Sequence, residues 1–331
     1  MERDPVSTVA TRTAVNTVLG PIDADELGVV AVHEALLSVV PGAQYAYDIE
    51  IDRAEIFEIL RDKLESFKAA GGGTIVDRTG MFHGRDLPLY EALSRTTGVH
   101  IVASTGMGPE ENLGGYFLTP QTNPPTPWPA ERFAELFAAE ATEGMVLPRV
   151  ERRAPAGLVV TMQTAAGATP TDESLLRGAA RAAVQTGVAL SFSAPADPLG
   201  ALDAALAEGL AADRIVVAGL DRAGAAATAR AVAERGAYVA IDHVGQTDAD
   251  LLSDDDRAAL VAELVAAGLG SRILLSAGAV GVAKGHTGTD VAYDAVLTGF
   301  APQLAARGLD EDSIRGILVD NPRDLLAVKE A

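Results

Sequence analysis

Cysteine is absent from the 331-residue chain, which removes disulfide frameworks, thiol nucleophiles and cysteine-held metals from consideration. Basic residues are scarce: 26 Lys and Arg stand against 46 Asp and Glu, for a formal charge of -20. Phosphate backbones and anionic lipid faces are bound by clustered Lys and Arg, so nucleic acid and membranes are excluded as partners, and the acidity reads as a solvated surface. No apolar run of about 18 residues is available to span a bilayer. The N-terminus, MERDPVSTVATRT, has charged and polar residues where a signal peptide needs an apolar stretch, so a soluble cytoplasmic protein is expected. There is no Gly-x-Ser-x-Gly elbow, no P-loop and no Gly-x-Gly-x-x-Gly turn following a strand, and no cofactor is expected.

What the chain does have is a repeated beat. Short Val- and Ile-rich runs alternate with longer Ala-rich amphipathic segments, the pattern of βα units that close a parallel sheet. Eight strands are predicted: Gly28 to Val32, Thr74 to Asp77, His100 to Ser104, Gly157 to Met162, Ala189 to Ser193, Ile215 to Ala218, Tyr238 to Asp242 and Ile273 to Ser276. Helices are predicted between and after them, the last of the eight over Asp290 to Ala306, and glycines such as Gly98, Gly187 and Gly268 follow helices, where a left-handed residue is wanted. With 48% hydrophobic residues the chain can fill the core of one α/β TIM (β/α)8 barrel, which needs roughly 250 residues. The expected organisation is a single barrel domain over 1–331, with an N-terminal extension 1–26 and C-terminal capping helices 311–330. Two long loops break the beat, a proline-rich one over Gly106 to Pro129 carrying Trp128 and a glycine-rich one over Gly278 to Thr289. Both fall at the C-terminal end of strands, where barrels build their sites.

Framework segments throughout the chain, including VNTVLGPIDADELGVVAVHEALLS, GGGTIVDRTG, GVHIVASTG, RIVVAGLDR, RGAYVAIDHVG, RILLSAGA and ILVDNPRDLLA, resemble those of the phosphotriesterase-like hydrolases of the amidohydrolase superfamily. That resemblance implies the barrel fold, a homodimer surface and six residues that hold two metal ions. Only one of the six is kept, His33. Where the family has His-x-His this chain reads His33-Glu34-Ala35; Val160 stands for the carboxylated lysine, Ser193 and Gly219 for two histidines, and Gly278 for an aspartate. A lone imidazole cannot impose a metal geometry, so no metal is expected and metal-activated water is disfavoured as nucleophile. The replacements are all small. An unfilled void costs about 24 cal/mol per Å³, so a hollow holding water or ligand is expected at the barrel mouth.

The candidate catalytic groups are the polar side chains left near strand ends: His33, Asp242, His243, Lys284 and His286. Glu34, Arg78, His83, Gln163, Ser191, Ser193 and Trp128 are candidates for substrate binding. Alternation along a strand predicts that His33 points inward with Ala31, that Ser193 points with Ser191, and that only one of Asp242 and His243 enters the pocket. Asp77 and Arg85 read as loop anchors or a structural ion pair, and His100 lies at the far end of the barrel. Three functions remain open: a metal-independent enzyme acting on a small organic molecule (lyase, isomerase, cyclase or unusual hydrolase), a non-catalytic protein binding a small molecule or a partner, or a hydrolase with a single recruited metal. The fold alone does not choose among them.

Overall fold

The computed structural model describes residues 14–43, 46–113, 118–119, 126–147 and 151–329. The first thirteen residues and much of the proline-rich stretch before Trp128 lie outside them.

The nine-stranded parallel sheet is built from β1 (Val29–Val39), β2 (Gly72–Asp77), β3 (His100–Gly106), β4 (Leu158–Met162), β5 (Ala189–Ser193), β6 (Ile215–Ala218), β7 (Tyr238–Ile241), β8 (Ile273–Leu275) and β9 (Val280–Lys284). They run in the order β8-β7-β6-β5-β4-β3-β2-β1-β9. All eight expected strands are present. The ninth, β9, falls within the predicted glycine-rich loop and pairs with the outer half of β1, from Val280 opposite Ala35 to Lys284 opposite Val39. The inner half of β1 meets β8 through side-chain contacts. The Glu34 carboxylate accepts from Ser276 Oγ at 2.6 Å and from the backbone N–H groups of Ala277 at 3.0 Å and Ala279 at 2.5 Å. Ser276 Oγ in turn accepts from His33 N. Glu34 thus staples the barrel seam.

Helices α1 (Arg53–Ala69), α2 (Leu87–Thr97), α3 (Ala130–Thr142), α4 (Pro170–Thr186), α5 (Pro198–Ala207), α6 (Ala226–Glu234) and α7 (Asp254–Ala266) cover the outside. Local chemistry sets their ends. Thr169 and Asp172 form a reciprocal capping box ahead of α4, and Gly187 closes it at φ 72°. The helix expected over Asp290 to Ala306 is shorter: a π-helical turn, Val296–Phe300, leads into α8 (Ala301–Ala306). After α9 (Glu311–Arg315), the last helix, α10 (Asn321–Leu326), plugs the bottom of the barrel. Its Leu325 and Leu326 pack with Val32, Val76, Leu158, Val216 and Leu274, and Arg214 donates to the carbonyls of Leu325 and Gly187. No helix among the described residues is long and apolar enough to cross a membrane.

The barrel interior is lined by Val30, Val32, Val76, Val102, Leu158, Val160, Val216 and Leu274, whereas Ala31 packs outward with Ile75 and Ile101. Ala31 and His33 therefore do not share a face, as simple alternation predicted. The register of β1 against β2 shifts between Ala31 and Glu34, and this irregularity turns His33 inward.

Leu325 is 2% exposed, and Leu325→Ala is expected to cost about 2–5 kcal/mol through lost burial and the cavity left behind. Urea unfolding reads this directly; an unchanged midpoint would mean that the helix rests on the barrel without sealing it.

Candidate functional site

Residues of β1 and of the turn after β6 converge on one buried carboxylate. Asp242 follows the last residue of β7 and is 3% exposed. Its Oδ2 accepts from His33 Nδ1 at 2.6 Å and its Oδ1 from the Gly219 backbone N–H at 2.9 Å. An ionised carboxylate only accepts, so His33 carries its proton on Nδ1 and leaves Nε2 as an acceptor. That nitrogen lies 2.8 Å from Ser191 Oγ, which donates to it from the inward face of β5. His243 is the next residue in the chain, yet it too belongs to the cluster: its Nδ1 is 2.7 Å from Asp221 Oδ1 and 3.3 Å from Asp242 Oδ1. Neither Asp242 nor His243 lines the inner pocket or the outer cleft; both lie beyond the end of β7, where strand alternation no longer applies, and both join the cluster. Asp221 was not among the candidate site residues. It is fully buried and is held by Arg257 Nε at 3.0 Å, another fully buried side chain. Its sequence signal is faint, a carboxylate two residues past the end of the Gly219 turn.

The two histidines diverge electrostatically. Burial pushes His33 below its usual value, with Arg78 and His243 adding to the effect and the Asp242 hydrogen bond opposing it. Burial also acts to lower His243, but the charge of Asp242 and the bond to Asp221 win and hold it above the usual value. Burial would raise Asp242, yet the neighbouring His243, the His33 hydrogen bond and Arg78 keep it well below the ordinary carboxylate range. A neutral imidazole therefore sits between a fixed anion and a hydroxyl.

Room around this cluster is small. The inner pocket over His33, Ser191, Ser193, Met162, Val160 and Arg78 has a volume of about 10 Å³, close to the space needed for one water. The expected hollow is small at this depth, where Met162 and Arg78 border it. Space has moved outward, to a cleft of about 440 Å³ bounded by Ala35, Val39, Val40, Pro41 and Val280 on its apolar side and by Ser38, Arg78, His83, Asn112 and His286 on its polar side. Arg78 and Met162 line both cavities and so form the wall between them. Among the described residues the half-buried Arg78 guanidinium has no hydrogen-bond partner, though its charge is felt by His33, Glu34, Asp242 and His243.

Other candidates fall in varied places. His83 donates from Nε2 to Gly108 O at 3.0 Å, and exposed His286 shares a 2.8 Å bond with Ser38 Oγ, both on the outer cleft. Lys284 lines neither cavity, because its backbone is fixed in the β9 ladder. Glu34 faces the seam, and Gln163 lines a separate groove between α4 and α5 with Glu173, Arg177 and Asp197. Trp128 lies on the outside, its ring 5.6 Å from Phe133 and under the Arg132 guanidinium at the start of α3. Arg85 makes a two-pronged buried bond to Glu140 at 2.7 and 2.9 Å, and Asp77 accepts from Leu36 N, Thr79 and Tyr90, so both anchor loops.

Parallel barrels build their active sites at the C-terminal mouth, where this cluster lies. The chain belongs to the phosphotriesterase family, whose model matches residues 13–326. It is 24% identical to an N-acetyltaurine hydrolase of Salmo salar, over 95% of this chain and 98% of that one. A phosphotriesterase homology protein of Mycobacterium tuberculosis is 26% identical, over 93% and 96%. Among solved structures, one from a study of organophosphate hydrolysis engineered from a weak promiscuous lactonase template superposes with a TM-score of 0.80 at 22% identity, covering 95% of this chain and 99% of that chain.

The residues at the family's metal positions do not fit a binuclear centre. Val160 offers no amine for a bridging carbamate. Gly219 gives its N–H to Asp242 in place of a side-chain ligand, and a Cβ on Gly278 would meet Asp242 O at 2.5 Å. Asp221, Asp242 and His243 do bring ligand atoms within 4.8 Å of one another, the one such grouping among the described residues. Those atoms already bind Arg257, His33, Gly219 and each other, and a cation there would displace a buried ion pair.

Burial pushes the Glu34 carboxyl up to about 7, against the opposing hydrogen bonds from Ser276, Ala277 and Ala279. A folded value above the ordinary 4.5 means that this group's stabilising contribution is complete below pH 4.5 and lost as pH rises through about 7. The stability difference between wild type and Glu34→Gln is therefore expected to shrink between pH 4.5 and 8, by up to about 3 kcal/mol. Paired denaturant titrations test it; a pH-independent difference would show that the seam carboxyl titrates as it does in the unfolded chain.

Proposed function

We propose that the protein is a hydrolase that works without the binuclear metal centre of its family, on a small organic anion held at the mouth of the barrel. The observation that carries this reading is Arg78: a guanidinium with no hydrogen-bond partner among the described residues, in the wall between a cleft large enough for a metabolite and the His33 cluster. A delocalised, permanently charged fork suits carboxylate, sulfonate or phosphate groups. It supplies positive charge at the mouth while the family's ligand positions hold Val160, Ser193, Gly219 and Gly278. His33 is the base, held neutral by burial and oriented by Asp242. His243 lines neither cavity and serves to position Asp242, not to touch substrate. Relatives that carry the name N-acetyltaurine hydrolase support the hydrolytic class and make an N-acyl amino acid or sulfonate the first compound to try.

Acetate release from N-acetyltaurine by protein dialysed against EDTA is the test. Turnover should survive chelation, and Arg78→Ala should lower kcat/KM by about 10- to 100-fold, the value of a charge-assisted hydrogen bond. The rate should rise with pH as His33 loses its proton, with the limb below about 6.5 because burial lowers that group. Turnover that vanishes with chelation and returns with zinc would overturn the proposal in favour of a recruited metal.

One observation favours a second reading, a small-molecule-binding protein without turnover: His33 and Ser191 are each only 3% exposed. Calorimetric binding of the anion with no product formed would support it.

A further inference from the structure

Resting on the hydrolytic reading above, we infer that Ser191 is a covalent nucleophile, activated by His33 and Asp242 in a serine relay built inside the barrel mouth. Ser191 Oγ donates to His33 Nε2 at 2.8 Å, and His33 Nδ1 donates to Asp242 Oδ2 at 2.6 Å. This is the connectivity by which a hydroxyl is activated on several unrelated folds, where order along the chain is irrelevant and geometry decides. Here the three residues come from the interior of β5, the interior of β1 and the position just past β7, and the chain order is His33, Ser191, Asp242.

Three further features separate this from a histidine that is merely satisfied. The far carboxylate oxygen is clamped by Gly219 N at 2.9 Å, so Asp242 cannot rotate away from His33. Both nitrogens of His33 are committed, so a base acting through Nε2 acts by way of the Ser191 hydroxyl. Finally, Ser191 borders the inner pocket together with Arg78, which places a cation beside the position where an oxyanion would form. Access requires movement of the shared wall. Of its two members, Met162 is a flexible thioether and Arg78 has no hydrogen bond among the described residues to break, so the wall opens cheaply.

The chemistry closes without a metal or co-reactant other than water. Ser191 Oγ forms a bond to the acyl carbon while its proton passes to His33 Nε2. The bond from that carbon to the leaving nitrogen or oxygen then breaks, and the leaving group takes the proton from Nε2. Water attacks the acyl-serine, giving its proton to Nε2. Collapse releases the carboxylic acid and returns the proton to Ser191 Oγ. The substrate class is thus an acyl compound, an amide or ester with an anionic end for Arg78, and not a phosphotriester.

A fluorophosphonate ester is the probe. Intact-mass analysis of EDTA-dialysed wild type should show one phosphonyl adduct, and peptide mapping should place it on Ser191. Ser66→Ala, on the exposed face of α1, should be labelled like wild type; Ser191→Ala and His33→Asn should not. With N-acetyltaurine, Ser191→Ala should lose at least about a thousandfold in kcat, as removal of a relay nucleophile does. The wild-type adduct keeps the test independent of whether any variant folds. Absence of an adduct, an adduct elsewhere, or chelator-insensitive turnover that persists in Ser191→Ala would overturn the nucleophile while leaving the metal-free hydrolase standing. An adduct on Ser191 in protein whose N-acetyltaurine turnover needs added zinc would support the nucleophile and overturn the metal-free reading.

Discussion

The mouth of this barrel is organised by one buried anion. Asp242 is 3% exposed, and a carboxylate so placed is tolerable only if its oxygens are occupied. One oxygen takes His33 and the other takes Gly219 N, with His243 at 3.3 Å. Each partner is fixed in consequence. His33 is turned so that Nε2 reaches Ser191, and His243 is braced from behind by the fully buried Asp221 and Arg257 pair. Gly219 approaches with φ at 72°, a conformation that costs a side chain dearly and glycine nothing. The residue that stands where the family has a histidine on the sixth strand therefore contributes backbone to the aspartate instead.

The outer parts of the structure were legible in the sequence. Short continuous Val- and Ile-rich runs locate all eight barrel strands, since a strand buried on both faces has to be apolar along its length. Caps such as Thr169 with Asp172 and stops such as Gly187 are local chemistry, readable without tertiary knowledge. What escaped depends on departures from regularity. The shift in β1 between Ala31 and Glu34 reversed the face expected for Ala31 relative to His33, and the strand end at Ile241 freed both Asp242 and His243 to join one cluster. Cavity shape was also hidden. Small residues at 35, 160, 193, 219 and 278 promise a hole, but Arg78, just past β2, and Met162, at the end of β4 itself, border the little space that remains, and volume is a property of the whole surround, not of the positions emptied. Val280 to Lys284 was read as loop because its glycines and polar flanks mask a short strand whose pairing partner lies some 240 residues earlier in the chain.

On the proposed reading, an arginine serving in place of a pair of cations would change which reactions the mouth can support. A bound divalent ion both stabilises developing negative charge and acidifies its water, so that hydroxide forms near neutral pH. A guanidinium can do the first but not the second. Its charge is single and spread over a plane, and it makes hydrogen bonds, not coordinate bonds, to oxygen. A hydrolase relying on Arg78 must therefore find its nucleophile by proton abstraction, which calls for a neutral base within reach of a hydroxyl. Burial keeps His33 in that form, and Asp242 leaves its Nε2 lone pair aimed at Ser191. The same logic limits the substrate. Phosphotriester cleavage by a serine leaves a phosphoryl-enzyme that a weak base releases slowly, whereas an acyl-serine is turned over by the base that formed it. On the proposed reading, a mouth that relies on Arg78 in place of metal would therefore turn over acyl compounds and be trapped by reactive phosphorus esters.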